Sequence, residues 1–99
     1  MAEVEIHPRA IEEARHARRR YARVSQALAA RFMAELDAGI AAIGATPPAF
    51  SPHHHGTRVY RLPSFSYQLV YLEVDPSTVL LLAVMHTSRR PGYWHRRLP

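Results

Sequence analysis

Val79-Leu80-Leu81-Leu82-Ala83-Val84-Met85 opens without a break into His86-Thr87-Ser88-Arg89-Arg90-Pro91-Gly92-Tyr93-Trp94-His95-Arg96-Arg97. A run of seven apolar residues fits a strand covered on both faces. It is far too short to cross a bilayer. The twelve residues that follow hold two His, four Arg, a Tyr and a Trp, a composition that resists burial. The stretch therefore predicts a core strand that delivers a cationic and aromatic cluster to the surface.

Upstream, Asp75-Pro76-Ser77-Thr78 has tight-turn chemistry and Tyr67 to Val74 reads as a strand. Pro63-Ser64-Phe65-Ser66 makes a second turn, preceded by a strand from Arg58 to Leu62. Short connections make these strands, with the last from Val79 to Thr87, an antiparallel meander. Ala45 to Thr57 carries Pro47, Pro48, Pro52 and Gly56 and reads as a loop without regular pairing. Before it the period changes: Leu28, Phe32, Leu36, Ile40 and Ile43 mark a helix from Gln26 to Ile43, capped by Ser25 and stopped by Gly44. Ala10, Ile11, Ala14, Ala17, Tyr21 and Val24 mark another, with Pro8 in its first turn. Glu3 to His7 alternates as a short strand. The two helices form a hairpin whose joint apolar stripe needs a sheet face to meet. The fold class is α+β, in the order βααβββ: an antiparallel sheet covered on one face by an α-helical hairpin, in a single domain spanning residues 1–99.

Ninety-nine residues suffice for one modest core, burying about 65% of the surface exposed by the unfolded chain. The absence of cysteine excludes a disulfide scaffold and thiolate chemistry. No secretory signal pattern precedes Glu3, and a cytoplasmic protein without membrane association is expected. All thirteen basic residues are Arg, against eight acids, for a net charge of +5. Guanidinium forks suit phosphate and carboxylate, so the partner is anionic: nucleic acid or an acidic protein segment. Arg18, Arg19, Arg20 and Arg23 read as a solvated helix face, with Glu12 and Glu13 nearer the helix N-terminus. His53, His54 and His55 lie in the loop with no Cys, Asp or Glu beside them, so they read as incidental, with no metal and no cofactor expected.

The element order, with Arg58-Val59-Tyr60-Arg61-Leu62, Tyr67-Gln68-Leu69-Val70-Tyr71, Ala83-Val84-Met85-His86 and Arg89-Arg90-Pro91-Gly92-Tyr93-Trp94, resembles the RelE/ParE toxin superfamily of bacterial type II toxin–antitoxin modules. The ending is most similar to the ParE-like plasmid stabilisation branch. The resemblance covers nearly the whole chain and implies a growth-inhibiting toxin neutralised by a cognate antitoxin, in a complex that allows a toxin homodimer. It implies two activities on one fold. RelE-type members are mRNA interferases that cut messenger RNA on the ribosome, and ParE-type members inhibit DNA gyrase.

A metal-independent endoribonuclease needs an acceptor for the 2′-hydroxyl proton, cations for the phosphate and an acid for the leaving oxygen. His86, Tyr93 and Arg61 are the catalytic candidates under that reading, with Arg89 and Arg90 as further phosphate clamps. Two departures oppose it: the Arg that such nucleases carry before Leu-Val-Tyr is Gln68 here, and one of their two alternate basic positions is Val59. Gyrase inhibition needs surface complementarity alone, for which Arg89, Arg90, Tyr93, Trp94, Arg96 and Arg97 are the partner-binding candidates. A third reading is an inactive member that binds its antitoxin and co-represses transcription.

Overall fold

A computed structural model describes all 99 residues. The elements are β1 (Glu3–Ile6), α1 (Pro8–Ala22), α2 (Gln26–Ala45), β2 (Ser51–Pro52), β3 (Arg58–Arg61), β4 (Tyr67–Asp75) and β5 (Thr78–His86). His7 caps α1 through Nδ1, which accepts the Arg9 N–H at 3.1 Å. Ser25 caps α2 by accepting the Leu28 N–H at 3.0 Å. Gly44 does not end α2 as expected, since the helix runs on to Ala45. A Cβ there would lie 3.1 Å from the Ala2 carbonyl, and the Gly44 carbonyl accepts the Ala2 N–H at 2.7 Å. The missing side chain lets the start of the chain lie against the helix.

The strands form one sheet in the order β1-β5-β4-β3-β2. The meander β3-β4-β5 is antiparallel, as its short turns require, whereas β1 joins β5 in parallel. Two residues of the proline-rich loop also pair: Ser51 lies opposite Val59 and Pro52 opposite Arg58. At an edge, a proline forfeits no ladder bond. No helix is long and apolar enough to cross a membrane.

The helical hairpin covers one sheet face, where Phe32, Leu36 and Ile43 meet Leu69, Tyr71, Val79, Leu81 and Val84. Phe32, Tyr21, Phe65 and Tyr67 add an aromatic cluster at one end of this layer. The other face carries a second apolar layer of Val59, Val70, Leu82, Ala83 and Met85, closed by Trp94. Cover on both faces, inferred from the uninterrupted apolar run, is what the fold shows, and the second cover is the chain's own C-terminal segment. Trp94, expected on a partner surface, is fully buried instead. Its large apolar ring gains more from filling this layer than from exposure.

The two layers depend on a bulge. Ala83 pairs with Val70 and Leu81 with Tyr71, which leaves Leu82 without a partner in β4. Leu82 and Ala83 therefore both belong to the Trp94 layer, while Leu81 and Val84 belong to the helix layer. The extra residue resets the alternation, so His86 falls on the helix side.

Candidate functional site: a basic cleft between α1 and the end of β5

β1 ends with Ile6 opposite Leu81, so β5 from Leu82 to His86 has no strand on that side. Backbone groups along such an edge need other partners. Glu13 of α1 and Arg97 provide them. Glu13 Oε1 accepts the Val84 N–H at 3.1 Å and Arg97 Nη1 at 2.8 Å, while Nη1 also donates to the Leu82 carbonyl at 3.0 Å. Oε2 accepts the Tyr93 hydroxyl at 2.5 Å and Arg97 Nη2 at 3.1 Å. The two charged side chains are only 16% and 14% exposed, so the fork-to-fork pair is largely shielded from water. It finishes the strand edge and fastens the C-terminal segment to α1.

This network sets the chemistry of Tyr93. Burial, then the hydrogen bond and charge of Glu13, push its phenol well above the usual range, against weaker opposition from Arg97 and Arg89. The hydroxyl is thus a neutral donor committed to Glu13. Burial works against the Arg97 charge, but the hydrogen bonds and charge of Glu13 outweigh it and raise its pKa.

Beyond the network lies an open cleft of ≈ 830 Å³. From α1 it is lined by Arg9, Glu12, Arg15, His16, Arg19 and Arg20, and from the sheet side by Tyr67, His86, Ser88 and Arg89. The Arg89 guanidinium stands 3.9 Å from the centre of the Tyr93 ring, and that of Arg97 5.1 Å from it. His86 packs edge-on against Tyr67 at 5.0 Å. Its Nδ1 accepts the Ser88 N–H at 3.0 Å and lies 2.7 Å from Ser88 Oγ. That leaves the proton of the neutral ring on Nε2. Even with Arg97 balanced by Glu13, the cleft keeps an excess of guanidinium groups suited to a carboxylate-rich or phosphate-rich ligand.

The structure brings together only part of the expected constellation. Arg61 pairs with Gln68 and Gln68 with Met85, so both lie on the Trp94 side of the sheet, while His86 faces the cleft on the other. Arg61 therefore does not join His86 and the Tyr93 hydroxyl. Arg89, Arg90 and Arg96 are exposed, Arg97 is held by Glu13, and Trp94 offers no contact area. No group of three or more His, Cys, Asp or Glu residues is arranged to hold a metal. Sequence reasoning missed Glu13, Arg9, His16 and Arg20 as one surface. Their spacing of four, three and four residues aligns them on one side of α1 and was the available signal. Arg19 and Arg20, read as solvated, line the cleft.

A helical hairpin on a five-stranded, mostly antiparallel sheet is the architecture of RelE/ParE-like toxins. The family model for the ParE toxin of the type II toxin–antitoxin system, parDE, matches residues 4–91. The chain belongs to that family: it is the toxin of a type II toxin–antitoxin system, which implies a cognate antitoxin as partner. The match stops before Gly92, so the segment with Tyr93, Trp94 and Arg97 lies outside it. A search among curated proteins found no match.

Proposed function

We propose that this toxin acts by binding DNA gyrase through the exposed Arg89, Arg90 and Arg96, and that an acidic segment of the antitoxin neutralises it in the cleft between α1 and β5. One observation carries the choice of target. The sheet face that holds Arg61 and Gln68 is filled by Val59, Val70, Met85 and Trp94, and His86 lies on the opposite face. Arg61 and His86, on opposite faces of the sheet, cannot act together on one phosphodiester, because proton transfer needs hydrogen-bond reach, and the Tyr93 hydroxyl is already committed to Glu13. Surface recognition of gyrase makes no such demand. Guanidinium groups at the rim of a shielded network also favour fast, salt-sensitive capture of an acidic partner.

The test compares two purified systems. Gyrase supercoiling should be inhibited, with cleavage complexes trapped, and Arg89→Gln/Arg90→Gln should weaken that inhibition. Unaffected gyrase at excess toxin, together with ribosome-dependent transcript cutting abolished by His86→Ala, would replace this reading with the nuclease. Normal growth on induction of soluble toxin would leave antitoxin binding and co-repression alone.

A further inference from the structure

The three adjacent histidines that read as incidental in the sequence are joined in the fold by a fourth. A short 3₁₀ turn over His54–Gly56 puts His55 in the left-handed region, with φ of 58°. Its ring lies 4.2 Å from that of His95, nearly perpendicular to it. His53 is 4.7 Å from His54 and 5.9 Å from Trp94, whose indole is 4.7 Å from His95. His53 and His95, from two segments remote in sequence, thus flank the buried Trp94, with the exposed His54 and His55 packed on them. The approach is close: a Cβ on Gly92, which has φ of 79°, would lie 2.6 Å from the His95 ring.

The two segments that carry these rings are basic, and the acids that reach their arginines, Glu73 and Glu13, are paired with Arg58 and Arg97. Neither residues 50–62 nor residues 87–99 include an Asp or Glu. On the loop side, Arg58 is engaged by Glu73 and the Phe50 carbonyl, and Arg61 is exposed. On the C-terminal side, Arg89 lies over Tyr93, Arg97 binds Glu13, and Arg90 and Arg96 are exposed. The buried sheet layer beneath consists of Val59, Val70, Leu82, Ala83 and Met85, and Arg61 on the same face adds a further cation. Imidazolium formed here meets other cations and an apolar floor.

We propose that His53, His54, His55 and His95 form a pH-sensitive latch on residues 87–99. Neutral, His53 and His95 pack on Trp94, with His54 and His55 against them, and hold the segment to the sheet; protonated, the rings repel one another and let it lift. Burial, then the charges of His54 and His95, hold His53 below the ordinary histidine value of 6.5, and partial desolvation with His55 and His54 acts likewise on His95. A histidine with a lower pKa in the closed state binds fewer protons there, so closure is favoured above that ordinary value and lost as pH falls below it. The same segment carries Arg89 and Tyr93, so lifting it alters the cleft as well.

Trp94 is the sole tryptophan of the chain and reports directly on the latch. The experiment measures acrylamide quenching of its fluorescence in the full-length toxin from about pH 7.5 to about pH 5.5, with far-ultraviolet circular dichroism to follow the fold. For His53 and for His95, whose values are lowered in the closed state, each unit of pKa difference between closed and open states multiplies opening about tenfold. The quenching constant should therefore rise several-fold on acidification while secondary structure is retained. The rise should disappear in His53→Gln/His95→Gln and persist in His16→Gln, whose ring lies in the cleft. His54→Gln/His55→Asn removes two of the four charges from exposed positions, with Asn tolerated in left-handed backbone, and should flatten the rise if the first variant does not fold. A constant that stays flat in the wild type, or rises equally in His53→Gln/His95→Gln and in His54→Gln/His55→Asn, would overturn the latch. So would a rise that accompanies general loss of secondary structure.

Discussion

Replacing Glu13 by Gln alters a carboxylate that accepts four hydrogen bonds, from the Val84 N–H, the Tyr93 hydroxyl and both terminal nitrogens of Arg97. The loss can be sized from its partners. Arg97, only 14% exposed, would keep its charge without a counter-ion, and removing one partner of a fully buried ion pair costs about 3–5 kcal/mol. Here the residual exposure admits some water and the amide oxygen still accepts a bond, so about 2 kcal/mol is expected for Glu13→Gln. Glu13→Ala should cost about 3 kcal/mol, because the Val84 N–H then also loses its acceptor. Domains of this size have about 5–15 kcal/mol in all, so both variants should fold with clearly lowered urea midpoints and unchanged slopes. A double-mutant cycle with Arg97→Gln isolates the pair, and its coupling energy should be about 1–2 kcal/mol. Coupling within about 0.3 kcal/mol of zero would show that the pair does not fasten the segment to α1.

Trp94→Ala should destabilise by about 3–5 kcal/mol in the same urea assay through the cavity it opens. Trp94→Phe should cost much less, since the indole Nε1 is buried without a hydrogen-bond partner and its removal sacrifices no bond. Gly92→Ala should cost about 1–2 kcal/mol by thermal unfolding, from the positive φ and the crowding against His95. In an ultraviolet difference titration of the five tyrosines, Tyr71 and Tyr93 should ionise last. Tyr71 is pushed up to about 12 chiefly by burial, with its hydroxyl bonded to the Pro47 carbonyl, and Tyr93 is held higher still. Both folded values are raised, so their contribution is intact below the ordinary phenol value of 10.0 and declines as pH climbs past it. Arg19→Gln/Arg20→Gln should weaken antitoxin binding, measured by calorimetry, with a deficit that shrinks as salt is added. A salt-independent deficit would place the antitoxin elsewhere.

The sequence by itself determined the two helices, the four longer strands and their order, though not the two-residue β2 in a loop read as unpaired, because each of those elements rests on local physics: the apolar period of the helices, the Ser25 cap, Pro8 in the first turn and the turn chemistry at Asp75-Pro76-Ser77. It also required cover on both faces of β5. It could not show which residue faced which layer, because a strand that is apolar at every position carries no alternation from which to read its phase. The bulge at Leu82 decides that, placing Val84 against the helices and His86 in the cleft, away from Arg61 and Gln68. Nor could composition separate a solvated Arg from a paired one. Arg97 and Tyr93 look like neighbours of Arg96 on an exposed tail until Glu13, from the far end of the chain, reaches them over the open strand edge. Local sequence fixes secondary structure through short-range sterics and hydrogen bonds, but partners that meet only after the chain folds back are settled by tertiary packing. For this toxin that includes Trp94, the histidines around it and the charge pattern of the cleft.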